Sequence, residues 1–138
     1  MERVNTPETS SWQELAFEMV SLLRTQKIKN ALGIGAVLTE EFSFSVPENL
    51  EEGIYGSQID LVLKRADRIA NLIEMKFSEE EYLITKASDE AMRRKRLDYQ
   101  RASGSKNAIQ LTMIAPYGVT PNSYANNLDS VVTGEDLF

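Results

Sequence analysis

Two runs in the middle of the chain, 58–64 and 69–77, alternate apolar and polar residues. Alternation with a period of two is typical of β-strands that are buried on one face. The polar residues between the two runs suit a turn, so the pattern predicts a β-hairpin centred near Asp67. In that register Asp60 on the first strand lies opposite Glu74 on the second.

This register brings two carboxylates together. Directly opposed side chains of paired strands lie about 5 Å apart at Cβ, where like charges destabilise the pair. A divalent cation relieves that repulsion, and Mg²⁺ prefers carboxylate oxygens while it keeps waters and open positions for phosphate oxygens. Lys76 points the same way as Glu74, opposite Gln58, and its ammonium group can hold an attacking water or neutralise a phosphate. Asp60, Glu74 and Lys76 therefore form a coherent set for phosphodiester cleavage.

An acid on one strand followed by Glu-x-Lys on the next resembles the signature of the PD-(D/E)XK nuclease superfamily. In this chain the signature consists of Asp60 and the tripeptide Glu74-Met75-Lys76. Ile59 stands where the superfamily name has proline, a departure that affects backbone shape more than chemistry.

The likeness extends over residues 12–138. The segments GSQIDLVL, NLIEMKFS and LTMIAPYGVTPNSY are similar to the nuclease-like domain that follows an AAA-type ATPase in many bacterial proteins. The resemblance implies an α/β, restriction-endonuclease-like fold with an αβββαβ core and a mixed sheet flanked by helices. It also implies an ATPase partner or a lost fused ATPase domain, since the chain has no phosphate-binding GxxxxGK[ST] loop.

The resemblance further implies a metal site. Mg²⁺, with Mn²⁺ as an alternative, would be held by Asp60, Glu74 and the Met75 carbonyl, and Glu18 would complete the site directly or through water. Glu18 ends the segment Ala-Phe-Glu, which resembles the first motif of the superfamily. Pattern alone favours a solvent-exposed helix glutamate at this position, and Glu14, one turn earlier, is the alternative ligand.

Helical and strand patterns complete the predicted order. Ser11 and Glu14 match a capping box for a first helix that runs to about Leu32, after a flexible tail of residues 1–10. The later elements are a first strand 36–46, a helix 85–102 closed by Gly104, a buried parallel strand 107–115, a last strand 128–133 and a capped final turn 133–136. The apolar stripe predicted for the first helix consists of Trp12, Leu15, Ala16, Met19, Val20, Leu22 and Leu23.

Charge is distributed unevenly along the chain. The net charge is −6, yet residues 86–106 contain seven lysines and arginines against three acids, while the rest has eight against eighteen. A basic helix on an acidic body is compatible with phosphate contacts, and we expect Arg93, Lys95 and Arg96 to bind DNA. The alternatives are a merely solvated helix face and, for Lys95, a lysine stem that covers apolar surface.

Composition limits the remaining choices. A chain of 138 residues is predicted to form one domain. It contains no cysteine or histidine, which excludes disulfides, thiolate or imidazole metal sites and His-dependent nucleophiles. No membrane association or secretion signal is expected, so the predicted location is cytoplasmic, and a homodimer is one open alternative. The predicted function is metal-dependent DNA cleavage, with a catalytically inactive interaction module and a small-phosphoester hydrolase as alternatives.

Overall fold

The computed structural model describes residues 7–104 and 106–138, with side chains from residue 12 onward. Its described part contains a five-stranded mixed sheet with helices on both faces. The strands are β1 (Thr39–Val46), β2 (Ser57–Arg65), β3 (Ile69–Met75), β4 (Ala108–Ile114) and β5 (Ser130–Val132). The helices are α1 (Pro7–Leu23), α2 (Thr25–Ala31), α3 (Lys86–Ser103) and α4 (Gly134–Leu137).

Strand order follows chain order from β1 to β5. β1, β2 and β3 are antiparallel neighbours, whereas β4 runs parallel to both β3 and β5. A parallel neighbour requires a crossover connection, and α3 provides it between β3 and β4. The predicted α/β class, the αβββαβ order and the mixed sheet flanked by helices are confirmed.

Each face of the sheet has its own apolar core. Val62, Leu72 and Leu111 pack on the face covered by α3, together with its Met92 and Tyr99. The other face is covered by α1 and α2, which precede β1 in the sequence, and by α4, which follows β5. Its core residues include Phe17, Ile28, Leu61, Leu63, Ile73 and Leu137.

The central hairpin has the predicted register. Leu61 pairs with Ile73 and Lys64 pairs with Ala70, which centres the hairpin on Asp67. The turn uses Arg68 at φ 68°, a left-handed conformation that non-glycine residues seldom adopt.

A β-bulge interrupts the alternation of β2. The pairing of β1 with β2 shifts between Phe42 and Phe44, and the additional residue lies on β2 at Asp60–Leu61. Simple alternation predicted that Ile59 shares a face with Leu61, but Ile59 packs with Val62 on the α3 side. That prediction was wrong because a bulge places two residues of one strand opposite a single residue of its partner. The residues before the bulge therefore point to the other face of the sheet.

The start of the chain also departs from the prediction. α1 begins at Pro7, so Ser11 lies within the helix rather than at its cap. Of the predicted tail, residues 7–10 belong to α1, and residues 1–6 lie outside the described part of the chain. The single helix predicted up to Leu32 is divided at Arg24 into α1 and α2.

The predicted apolar stripe of α1 faces solvent. Phe17 is 8% exposed and packs on the sheet, whereas Trp12 is 74% and Leu23 85% exposed. Leu15, Met19 and Leu22 are exposed as well. The prediction was wrong because Phe17 and the buried Ser21, one turn apart, form the inward side, and the stripe lies on another side of the helix.

The second half of the chain follows the predictions closely. Thr85 caps α3 by accepting a hydrogen bond from the Ser88 N–H at 3.2 Å, and Gly104 ends the helix at φ 62°. α4 begins with a capping box between Thr133 and Asp136. No helix among the described residues is both long and apolar enough to span a membrane.

Candidate active site

The candidate site lies where the β2–β3 ladder stops. The last paired residues are Leu61 and Ile73, one position short of a pair between Asp60 and Glu74. In place of that pair, the Met75 N–H donates to Asp60 Oδ2 at 2.9 Å. The bulge at Asp60 therefore ends the ladder, and the carboxylate takes over the bond that the strand would have made.

This bond also orients the Met75 carbonyl. The N–H and C=O of one residue in a strand point to the same side, so the Met75 carbonyl leaves β3 on the side of Asp60. The next N–H, that of Lys76, points to the opposite neighbour and donates to the Ile114 oxygen at 2.9 Å. The Asp60 carboxylate and the Met75 carbonyl thus share one side of β3.

Glu18 approaches Asp60 from α1. Its pKa is raised from 4.5 to about 7, first because burial desolvates the carboxylate and second because Asp60 is negatively charged. A hydrogen bond with the Asp60 side chain raises it further, while the ammonium group of Lys76 lowers it. Glu18 therefore retains its proton to a higher pH than an ordinary glutamate does.

Glu74 points to the other side of the sheet. It is only 4% exposed, and Lys95 Nζ on α3 lies 2.9 Å from its Oε1. Burial raises the pKa of Glu74, the positive charge of Lys95 lowers it, and the negative charge of Asp60 raises it. A hydrogen bond from the Lys95 side chain also lowers the pKa of Glu74, so the contact is both an ion pair and a hydrogen bond.

A cleft of about 280 Å³ brings Glu74 together with two lysines. Lys76 at the end of β3 and Lys95 on α3 both line it, and Met113 of β4 lies beside them. Lys76 lowers the pKa values of both Glu18 and Glu74, so its charge acts on both halves of the site. The predicted set is therefore divided: Asp60 contacts Glu18 of α1, whereas Glu74 and Lys76 line the cleft beside α3. Asp60 and Glu74 do not form the opposed pair that the sequence predicted, although the charge of Asp60 still acts on Glu74.

The oxygen donors fit a hard cation. The described residues include no group of three or more acidic side chains at metal-binding spacing. Mg²⁺, however, is commonly held by one or two carboxylates and retains several waters. Asp60 and Glu74 provide two carboxylates, and the Met75 carbonyl lies on the side of Asp60. Mn²⁺ accepts the same donors.

Gln58 and Glu14, the other two residues considered for the site, are both exposed. Gln58 pairs with Ser45 on β1 and is exposed, because the β2–β3 ladder ends before it could face Lys76. Among the described residues no hydrogen bond joins Gln58 to Lys76. Glu14 is exposed on α1 and raises the pKa of Glu18 by its charge.

The basic residues of α3 are largely exposed but have partners within the chain. Arg93 Nε lies 3.1 Å from Asp89 Oδ2, and Arg96 Nη2 donates to the Ile109 oxygen at 3.4 Å. The Arg94 guanidinium lies 5.8 Å from the centre of the Tyr55 ring. Arg94 thus lies on the side of α3 towards β2 and Arg96 on the side towards β4, while Lys95 lines the cleft.

Sequence reasoning missed the buried Asp98. It accepts a hydrogen bond from the Tyr55 N–H at 3.0 Å and a short one from Ser57 Oγ, which fastens the start of β2 to α3. Arg101 adds a bond to the Gly53 oxygen, so the glycine-bracketed segment before β2 is attached to the helix. The available signal was the position of Asp98 directly before Tyr99, which is buried on the inner side of α3.

Comparison with known proteins adds evidence on the fold alone. No protein-family model and no curated protein sequence matches this chain. The chain is similar to the crystal structure of the protein of unknown function AF1548, with a TM-score of 0.53 and 15% sequence identity. The match covers 84% of this chain, which spans 56% of the length of AF1548.

Proposed function

We propose that this chain is a Mg²⁺-dependent phosphodiester hydrolase of the PD-(D/E)XK type that acts on DNA. The supporting observation is that two groups flank the end of the β2–β3 ladder, Asp60 with Glu18 on one side and Glu74 with Lys76 on the other, and that their charges act on one another. The sequence likeness and the mixed α/β fold agree with the proposal. A cytoplasmic location, which suits a chain without cysteine, belongs to the same proposal.

Each residue has a distinct role in this proposal. Asp60, Glu74 and the Met75 carbonyl hold the cation, and Glu18 contributes directly or through a water. When bound, the cation acts as a Lewis acid on the phosphate and lowers the pKa of bound water. Lys76 orients the attacking water and stabilises negative charge that develops on the phosphate.

The buried position of Glu74 suits such a role. A buried carboxylate costs several kcal/mol unless a cation compensates it. A protein that needed only stability could place an apolar side chain at the end of β3, as it does at Met75 and Ile73. The buried acid thus favours a cation-binding role over a purely structural one.

DNA contact is proposed for the outer surface of α3. Arg93 and Arg96 lie on this helix, which carries the locally basic segment of an otherwise acidic chain. The cleft with Lys95 and Lys76 opens beside the N-terminal half of the helix. A DNA strand whose sugar-phosphate backbone follows α3 would therefore bring a phosphate group to the cleft.

The second candidate is a catalytically inactive nuclease-like module that works with an ATPase domain or another partner. It is favoured by the Lys95–Glu74 ion pair, which already compensates the buried acid, and by the lack of a three-acid group among the described residues. Metal binding separates the two candidates, because an inactive module has no need of a cation at Asp60.

Isothermal titration with Mg²⁺ and with Mn²⁺ tests the proposal. We expect the natural sequence to bind one cation and Asp60→Asn to bind it at least about tenfold more weakly, since a carboxylate ligand is lost. Glu90→Gln, which removes an exposed acid from α3, is the matched control and should bind as the natural sequence does. Absence of binding, together with absence of Mg²⁺-dependent cleavage of single- and double-stranded DNA, would favour the inactive module.

A further inference from the structure

We infer that Lys95 is an exchangeable counter-cation: it compensates Glu74 while the site is metal-free and is released to a DNA phosphate when a divalent cation binds. The inference rests on the proposed function and adds to it an order of events within the same site. It assigns Lys95 a metal-dependent contact with DNA, unlike the arginines on the outer surface of α3.

The first step of the argument is the need of Glu74 for a positive charge. Its carboxylate is buried beneath α3, and the negative charge of Asp60 acts on it from the neighbouring strand. The ammonium group of Lys95 lies 2.9 Å away and meets that need. Removing a partner from such a pair is strongly destabilising unless another cation takes its place.

The second step is that the contact is easily exchanged. The Lys95–Glu74 contact borders a cleft that also contains Lys76, so a small cation can reach the contact from solvent. The Lys95 side chain is 25% exposed and lines an open cleft, and its four-carbon stem allows the ammonium group to swing outward. Lys95 can therefore leave Glu74 without any movement of α3.

The third step is electrostatic exclusion. A divalent cation and an ammonium group held by the same carboxylate would repel each other strongly, because the site is shielded from bulk water. With a divalent cation on Glu74, Lys95 would therefore move outward into the cleft. Lys76 already lines the inner part of the cleft, so a phosphate that enters it would meet both ammonium groups.

Lys95→Met tests the exchange, because methionine retains the apolar stem and removes the charge. In isothermal titration we expect Lys95→Met to bind Mn²⁺ roughly tenfold more tightly than the natural sequence, since no lysine competes for Glu74. In DNA binding followed by fluorescence anisotropy, the logarithmic salt slope should fall by about 0.9 in Ca²⁺, the loss of one phosphate contact. It should not change in EDTA, where Lys95 remains on Glu74.

Lys86→Met, which removes an exposed lysine from the first turn of α3, is the matched control and should not alter Mn²⁺ affinity. If Asp60→Asn abolishes Mn²⁺ binding but Lys95→Met leaves the affinity equal or weaker, this inference is wrong and the proposed metal site stands. If neither the natural sequence nor any variant binds metal, the proposed metal site and the Lys95 exchange are both wrong. A Lys95→Met protein that is unfolded in EDTA and folds on addition of Mn²⁺ supports the exchange, whereas one that is unfolded in both overturns it.

Discussion

The Asp60 carboxylate accepts a hydrogen bond from the Met75 backbone N–H at 2.9 Å, at the point where β2 and β3 stop pairing. This one bond fixes the acid at the end of the ladder and turns the Met75 carbonyl towards the same side. It also keeps β2 beside β3 without a cross-strand pair of Asp60 and Glu74, whose like charges would destabilise the hairpin. The Asp60 carboxylate thus lies at the end of the ladder, where Glu18 of α1 interacts with it.

Lys76 is expected to serve the reaction and not the fold. It is half-buried beside two acids, so Lys76→Ala in Mg²⁺ should leave the melting temperature nearly unchanged. Cleavage should fall by at least about 10²-fold, because the lysine acts on charge that develops in the transition state. Thermal unfolding and a gel assay of DNA cleavage measure the two effects.

The control for this experiment is Lys64→Ala, which removes an exposed lysine near the other end of the hairpin. It should affect neither quantity. A large drop in melting temperature for Lys76→Ala would instead identify a structural lysine, and unchanged cleavage would remove Lys76 from the proposed mechanism.

The pH dependence of stability follows from Glu18. Its pKa in the folded chain is about 7, against 4.5 for the ordinary carboxyl, chiefly because burial disfavours the charged form. The folded state therefore binds more protons than the unfolded state between these values. Its stability should fall as pH rises from about 4.5 to about 7 and then level off.

Differential scanning fluorimetry in EDTA measures this effect as a melting temperature that declines across that window. Glu18→Gln should reduce the decline, and part should remain because the pKa of Glu74 is raised as well. Glu90→Gln, at an exposed position, should reproduce the natural curve. A natural protein whose melting temperature rises across the window would contradict the charge arrangement around Asp60.

Asp98 is expected to contribute mainly to stability. Asp98→Ala leaves the Tyr55 N–H and the Ser57 hydroxyl without their acceptor, at a cost of about 1–3 kcal/mol for each donor that stays buried. Asp98→Asn should cost less, because the amide oxygen still accepts one bond. Urea denaturation measures both, and Glu90→Ala on the same helix should change the free energy of unfolding by no more than about 0.5 kcal/mol. Equal stability of Asp98→Ala and the natural sequence would refute this role.

The parts of the fold that the sequence predicted are those set by local signals. The period-two alternation and the polar turn located the hairpin and its centre at Asp67, and Thr85 and Gly104 marked both ends of α3. These features depend on residues that are neighbours in the sequence. They could be identified without knowledge of what packs against them.

The remaining parts depend on tertiary contacts. The bulge at Asp60 arises from the shifted pairing with β1, which no pattern within β2 reveals. α1 contains enough apolar residues for two stripes, and its contacts with the sheet select the side of Phe17. The Lys95–Glu74 pair joins residues 21 positions apart, so sequence could place Lys95 at the rim of α3 but could not name its partner.

The last prediction concerns the exposed cations of α3. If Arg93 and Arg96 neutralise DNA phosphates, affinity should weaken steeply with salt, with a logarithmic slope of about −0.9 per contact on duplex DNA. Arg93→Ala and Arg96→Ala should each reduce the magnitude of that slope by up to about 0.9. The effect of Arg93 should be the smaller, because Asp89 already partly compensates its charge.

Fluorescence anisotropy with a labelled oligonucleotide, in Ca²⁺ to suppress cleavage, measures the slope from low to moderate salt. Lys27→Ala is the matched control, because it removes an exposed cation from α2, on the opposite face of the sheet. Unlike Lys95→Met, the two arginine variants should reduce the slope equally in Ca²⁺ and in EDTA, since their positions on the outer surface do not depend on the occupancy of Glu74. A slope that neither arginine alters, or an equal loss with Lys27→Ala, would mean that α3 is a solvated surface and that DNA approaches the cleft by another route.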